Sequence, residues 1–190
     1  MAVVPPFADS LREAERRLSR LLGGRCEVSV HTRLDEGLLA VLEAIDHEKF
    51  RQELRYDRGE LESRGGRRGF LCLVAWLDGG AVAFDYGYDG EEEDTFYSDT
   101  TATLVEGKGV GSTLFALEII RSFELGYART RLSTEEVDEV GRPLRRIWGR
   151  LGFEVVFTDP SGGIEMEMAH TPEGVRSLYD RYVSDSQPSG

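Results

Sequence analysis

The residues that could do chemistry are concentrated in one run, Val105-Glu106-Gly107-Lys108-Gly109-Val110-Gly111-Ser112-Thr113, which leads into the apolar segment from Leu114 to Leu125. Glycine lets backbone approach a ligand closely and adopt positive φ. A helix starting just after such a run presents N–H groups with no internal partner, together with the positive end of its dipole. The combination is an anion site, most often for phosphate. A P-loop does not fit, because Lys108 precedes the later glycines instead of following them. A dinucleotide fingerprint fits Gly107 and Gly109 but meets Ser112 at its third glycine. That fingerprint also requires a parallel sheet beginning at this strand, whereas hairpins precede it. The histidines, His31, His47 and His170, form no cluster, so no metal site and no Ser–His or Cys–His catalysis is expected. Cys26 and Cys72 sit in apolar runs and read as buried thiols.

Composition narrows the class. The 190 residues suit one domain with an extension, and 40% hydrophobic content is enough for a core. A net charge of −12 argues against a nucleic-acid partner, which needs a basic face, and is compatible with a cationic substrate. No run reaches the roughly 18 apolar residues of a membrane span, and the first residues lack the pattern of a signal peptide. A soluble cytoplasmic protein without a membrane partner is expected.

The elements that must position the glycine run follow from periodicity. Phe7, Leu11, Ala14, Leu18 and Leu22 recur at helical spacing, with capping-box spacing at Ser10 and Glu13 and a stop at Gly23-Gly24. Residues 25–31 alternate as a strand. Asp35 caps a second helix carrying Leu38, Leu39, Leu42 and Ile45, and a short helix holds Leu61. Residues 70–76 read as a buried strand, and Asp78-Gly79-Gly80 as a hairpin turn. Strands at 81–88 and 95–104 complete an antiparallel meander that delivers the chain to the glycines. Beyond them come a buried helix to Leu125, a strand at 128–133 and a helix from Pro143 to Leu151. Strands at 153–157 and 164–168 and a last helix from Pro172 to Val183 follow.

Two motifs in this order carry a resemblance to the GCN5-related N-acetyltransferase (GNAT) superfamily. Glu106-Gly107-Lys108-Gly109-Val110-Gly111 occupies the place of the family's Arg/Gln-x-x-Gly-x-Gly/Ala, between the fourth strand and a long helix. Downstream, Leu151-Gly152-Phe153 ends a helix as in many members. The resemblance covers roughly residues 25–170. It implies an α/β (α+β) fold with a mixed, largely antiparallel central sheet flanked by helices. Residues 1–24 would form an added N-terminal helical extension, 25–183 the acetyltransferase domain and 184–190 a flexible tail.

The resemblance further implies acetyl-CoA as co-substrate, no metal, and direct acetyl transfer to an amine of a small molecule, peptide or protein; it is compatible with a homodimer. Leu104 and Val105 would bond the pantetheine arm between splayed fourth and fifth strands. Gly107, Lys108, Gly109, Val110, Gly111 and Ser112 would hold the pyrophosphate. Among candidate bases Asp99 comes first, because a charge inside a strand is costly unless paired or functional, and Asp94 second. Tyr97 is a candidate acid for the leaving thiolate. The chain departs from the family at Glu106, in place of Arg or Gln, at Trp148, where many members carry Tyr, and at Gly141, where Asn is common. Indole N–H can donate a hydrogen bond but cannot serve as that acid. These departures motivate the rival reading, a non-catalytic acyl-CoA-binding or interaction module of the same fold.

Overall fold

The computed structural model describes residues 2–50, 52–138 and 141–186. In chain order it forms α1 (Phe7–Leu22), β1 (Cys26–His31), α2 (Glu36–Lys49), α3 (Arg58–Gly65), β2 (Leu71–Leu77), β3 (Gly80–Asp89) and β4 (Thr95–Thr103). Then follow α4 (Val110–Glu124), β5 (Arg129–Thr134), α5 (Leu144–Arg150), β6 (Glu154–Thr158), β7 (Ile164–Ala169) and α6 (Pro172–Leu178). A π-helical turn, Tyr179–Val183, continues α6. The strands make one sheet in the order β1-β2-β3-β4-β5-β7-β6, antiparallel everywhere except between β4 and β5. Among the described residues no helix is long and apolar enough to cross a membrane.

β2 lacks alternation because both its faces are covered. Leu71, Leu73 and Ala75 join the core beneath α1, α4 and α6, while Cys72 and Val74 join the core beneath α2 and α3. The turn at Asp78 and Gly79 has positive φ at both residues, the mirror-image geometry that matches strand twist. Asp35 caps α2 by accepting from the Leu38 N–H at 2.8 Å. The capping box expected at Ser10 and Glu13 does not form. α1 starts at Phe7, where its apolar stripe begins, with Pro6 as its cap and no side-chain bond, which leaves Ser10 buried within the helix. A capping box does form at α3, between Asp57 and Glu60.

Two irregularities prepare the site. The β3–β4 register runs Tyr86 to Thr100 and then Gly87 to Ser98, so Asp99 is the extra residue of a β-bulge, a device that bends a strand and increases its twist. The parallel β4–β5 ladder then holds only Thr95–Arg129, Phe96–Thr130 and Tyr97–Arg131. Beyond it β4 stays paired to β3 as far as Thr103, and β5 to β7 as far as Thr134. The two strands therefore part into a V whose mouth lies at the start of α4.

α1 closes the outer face of this assembly, burying Ala14 and Leu18. The segment expected to be a flexible tail is tied to it in its described part. Arg17 donates to the Ser184 carbonyl at 2.8 Å, and Arg20 pairs with Asp185 at 2.7 Å. Residues 187–190 of that segment lie outside the described residues.

Under the bulge lie two carboxyls in the core, Asp85 of β3 and Glu118 of α4, both fully buried. Thr101 donates to Asp85 at 2.5 Å, but the other Asp85 oxygen and both Glu118 oxygens have no hydrogen-bond partner. Burial pushes the Asp85 carboxyl up to about 7, and burial with the nearby Asp85 charge pushes Glu118 up further. Each group holds a proton more tightly folded than unfolded, so stability is full near pH 4 and falls as pH rises through 7. Glu118→Gln is expected to raise Tm at pH 8 by about 3 °C or more and to narrow the difference between pH 5 and pH 8. Thermal unfolding across that range checks it, and an equal loss of stability at both pH values would refute it.

Candidate functional site

The glycine run turns the chain from β4 into α4. Gly107 and Gly109 have φ of 71° and 76°, which L side chains rarely adopt, and neither has an atom within 4 Å of the place a Cβ would occupy. Space is open above both, so glycine is required here for conformation, and the clearance keeps the backbone approachable. Gly109 caps α4 without a side-chain bond, and the first intrahelical bond runs from the Thr113 N–H to the Gly109 carbonyl at 2.9 Å. The N–H groups of Val110, Gly111 and Ser112 therefore point out of the helix end, where the dipole is positive. Lys108 is exposed beside them, with no carboxylate partner among the described residues.

Leu104 and Val105 do not offer free amides to the V. The Leu104 N–H donates to the Val82 carbonyl at 2.8 Å and so faces β3. The Val105 N–H donates to Thr103 Oγ1 at 3.1 Å, and that hydroxyl donates in turn to the Val105 carbonyl. Backbone alternation then turns the main-chain groups of Thr101 and Thr103 toward the open side. The missed signal is one of register: it follows from which β4 residues oppose β3, and periodicity alone does not give it.

Glu106 is neutralised locally. Its carboxylate is ion-paired with Lys49 at the end of α2, which holds it below the usual carboxylate range. Trp148 packs in the core. Its ring lies 4.9 Å from Phe115, and its N–H donates to Thr134 at 3.2 Å.

At the vertex of the V is a cavity of about 300 Å³ lined by Arg67, Tyr88, Tyr97, Arg131, Ser133 and Glu165, among others. Tyr97 spans the gap, donating from its hydroxyl to Ser133 at 3.0 Å, and burial raises it above the usual tyrosine range. Asp99 is placed at the bulge as a fully engaged carboxylate. It accepts from Arg64 at 3.1 Å, from Thr100 at 2.7 Å and from the Tyr88 hydroxyl, with 6% of its side chain exposed. Arg64 is itself seated 3.8 Å from the centre of the Tyr56 ring. Asp94 is not brought into this group. It sits exposed at the turn before β4 with φ 57°, and its carbonyl accepts from the Ala128 N–H. His170, between Thr130 and the Tyr127 carbonyl, lies outside the cavity.

Sequence reasoning passed over Glu165. On β7 it faces away from Met166 and opposes Ser133 of β5, whereas Glu167 opposes Arg131. Arg131 is shared at 2.7 Å by Glu92 and by Glu167, and Glu165 has no cationic partner among the described residues. The alternation of β7 signals both glutamates, but only the strand register separates them.

Known structures share this architecture. The ribosomal-protein-S18-alanine N-acetyltransferase from Escherichia coli superposes with a TM-score of 0.60 at 15% identity, covering 85% of this chain and 97% of its own. PaiA N-acetyltransferase from Thermoplasma acidophilum, in complex with coenzyme A, gives 0.61 at 17% identity, with 76% and 99% covered. The aminoglycoside 6'-N-acetyltransferase from Enterococcus faecium gives 0.62 at 14% identity, with 75% and 96% covered. No protein-family profile matches the sequence, and no curated protein matches it. The chain has the fold of the GCN5-related N-acetyltransferases.

The Asp99 knot has a measurable consequence. Arg64→Met leaves a nearly buried carboxylate without its cation and is expected to cost about 2 kcal/mol, somewhat less than a fully buried pair because Arg64 is partly exposed. Urea unfolding at pH 7 measures it, and a change below about 0.5 kcal/mol, the level of an ordinary surface substitution, would show that the pair is not structural.

Proposed function

We propose that the chain is an acetyl-CoA-dependent N-acetyltransferase of the GNAT superfamily that transfers the acetyl group directly to an amine. The reading rests above all on one observation: the V between β4 and β5 has the glycine-turned N-terminus of α4 at its mouth and a polar cavity at its vertex. The PaiA structure is a complex with coenzyme A, which supports the same ligand class here.

The residues fit the group. The amides of Val110, Gly111 and Ser112 suit a diphosphate, with charge added by Lys108, and the Lys49 pairing removes the repulsion that Glu106 would otherwise exert. The main chain of Thr101 and Thr103 offers strand-like bonds to an extended arm. Bound acetyl-CoA supplies an acyl carbon activated as a thioester. As the N–C bond forms and the C–S bond breaks, the ammonium gives up one proton to become a nucleophile, the departing sulfur gains one from the Tyr97 hydroxyl, and the attacking nitrogen returns a second to the Tyr97 oxygen. Glu165, which opposes Ser133 beside Tyr97 and has no ion-pair partner among the described residues, takes the first proton in place of Asp99, whose oxygens are already occupied. Tyr97, which burial keeps protonated at neutral pH, donates to the sulfur.

Titration calorimetry with acetyl-CoA and thiol release over a panel of amines test this. Gly109→Trp places a large side chain over the helix end and is expected to weaken acetyl-CoA binding at least tenfold while the protein stays folded; unchanged affinity would remove the site. Glu165→Gln is expected to lower kcat at least tenfold with acetyl-CoA affinity unchanged, and wild-type turnover would remove Glu165 as the base. Binding of acetyl-CoA with no transfer to any amine would instead favour an acyl-CoA-binding module.

A further inference from the structure

We infer that the acceptor is a small zwitterion, an amine that carries its own carboxylate, with the ammonium received by Glu165 and the carboxylate by Arg67. This rests on the acetyltransferase reading and adds the substrate class to it.

The argument comes from which charges in the cavity are already matched. Arg131 is held by Glu92 and Glu167, each at 2.7 Å. Asp89 is paired with Arg68 at 3.2 Å and accepts from the Tyr127 hydroxyl. Glu91 lies exposed on the turn between β3 and β4, with no aromatic ring anchoring it of the kind that Tyr88 gives Arg67. Arg67 and Glu165 remain. Arg67 has no carboxylate partner among the described residues; it is exposed at the rim of the cavity, where its guanidinium is anchored 4.6 Å from the centre of the Tyr88 ring. Glu165 lies beside the Tyr97–Ser133 bridge, where β4 and β5 begin to part.

These two charges face each other across the site. Tyr88, under Arg67, is on β3, and Glu165 is on β7, with β4 and β5 between them. Strand spacing of about 4.8 Å puts β3 and β7 about 14 Å apart, and both side chains reach inward from there. The gap left suits a molecule of a few heavy atoms with opposite charges at its two ends. A cavity of about 300 Å³ is at the small end of ligand sites, which agrees. A guanidinium fork recognises a carboxylate with two parallel bonds, a match that a neutral amide cannot make. A lysine side chain or an N-terminus within a polypeptide has no carboxylate within reach, so a free amino acid is favoured over a peptide.

The test titrates a set of amino acids against the protein, with and without coenzyme A. Glycine, β-alanine, γ-aminobutyrate and a range of α-amino acids are each compared with their own primary amide. At least one acid is expected to bind tenfold or more tightly than its amide. Arg67→Ala should erase that preference, Arg67→Lys should restore part of it, and Glu165→Gln should weaken acid and amide alike. Equal binding of every acid and its amide, or a preference that survives Arg67→Ala, overturns the proposal. Thiol release from acetyl-CoA is measured in parallel. Transfer to amines without preference for the acids overturns the substrate class and keeps the acetyltransferase. Selective binding of an acid without transfer does the reverse.

Discussion

The parallel pairing of β4 with β5 stops after three residue pairs, and the slot proposed here for a ligand depends on that interruption. A continuous ladder would satisfy the main chain of Thr101 and Thr103 and leave no slot. The cause lies on the other edge of β4, where Asp99 is inserted opposite Tyr86 and Gly87 and the strand is bent. An extra residue in a ladder is held only if its side chain is held. Arg64, Tyr88 and Thr100 do so from α3, β3 and β4, which explains a charged residue in the middle of a strand without giving it a catalytic duty.

The distribution of charge follows the same division of labour. At the mouth of the V, a helix end and Lys108 face outward, and the awkward carboxylate of Glu106 is drawn aside by Lys49 from α2. At the vertex, the two arginines of β5 and the glutamates around them cancel each other in a network. Networks of this kind hold strands in register at an exposed face, and the charges they leave over are the ones available to a ligand. The net acidity of the chain is therefore a poor guide to its acceptor, because pairing decides which charges act.

Much of the fold was legible because the signals were local. Asp35 caps α2 and the Asp78-Gly79 turn forms as their residue types require. The sheet followed from alternation, and the glycine run marks the start of α4 because nothing else supplies positive φ so cheaply. What failed was either competition between local signals or register. Ser10 and Glu13 have the right spacing for a cap, but the apolar stripe starts the helix at Phe7, as its spacing predicts, and so places both inside it. Leu104 was assigned to the ligand by position, yet its amide faces β3. Glu165 and Glu167 look alike in the sequence, and only the pairing with Ser133 and Arg131 tells a free carboxylate from a neutralised one.

The docking of α1 beside the C-terminal turn bears on how the chain reaches this state. α1 lies against α4, while Arg17 and Arg20 hold Ser184 and Asp185, and Arg176 of α6 donates to the Val3 carbonyl. α1 thus draws on partners more than 160 residues further along the chain. Such long-range closure is slow, since loop entropy must be overcome before the contacts form. Until residues 184 and 185 are in place, the contact of α1 with α4 lacks these polar ties, and a chain cut short of them is expected to hold α1 more loosely and to be more prone to aggregation.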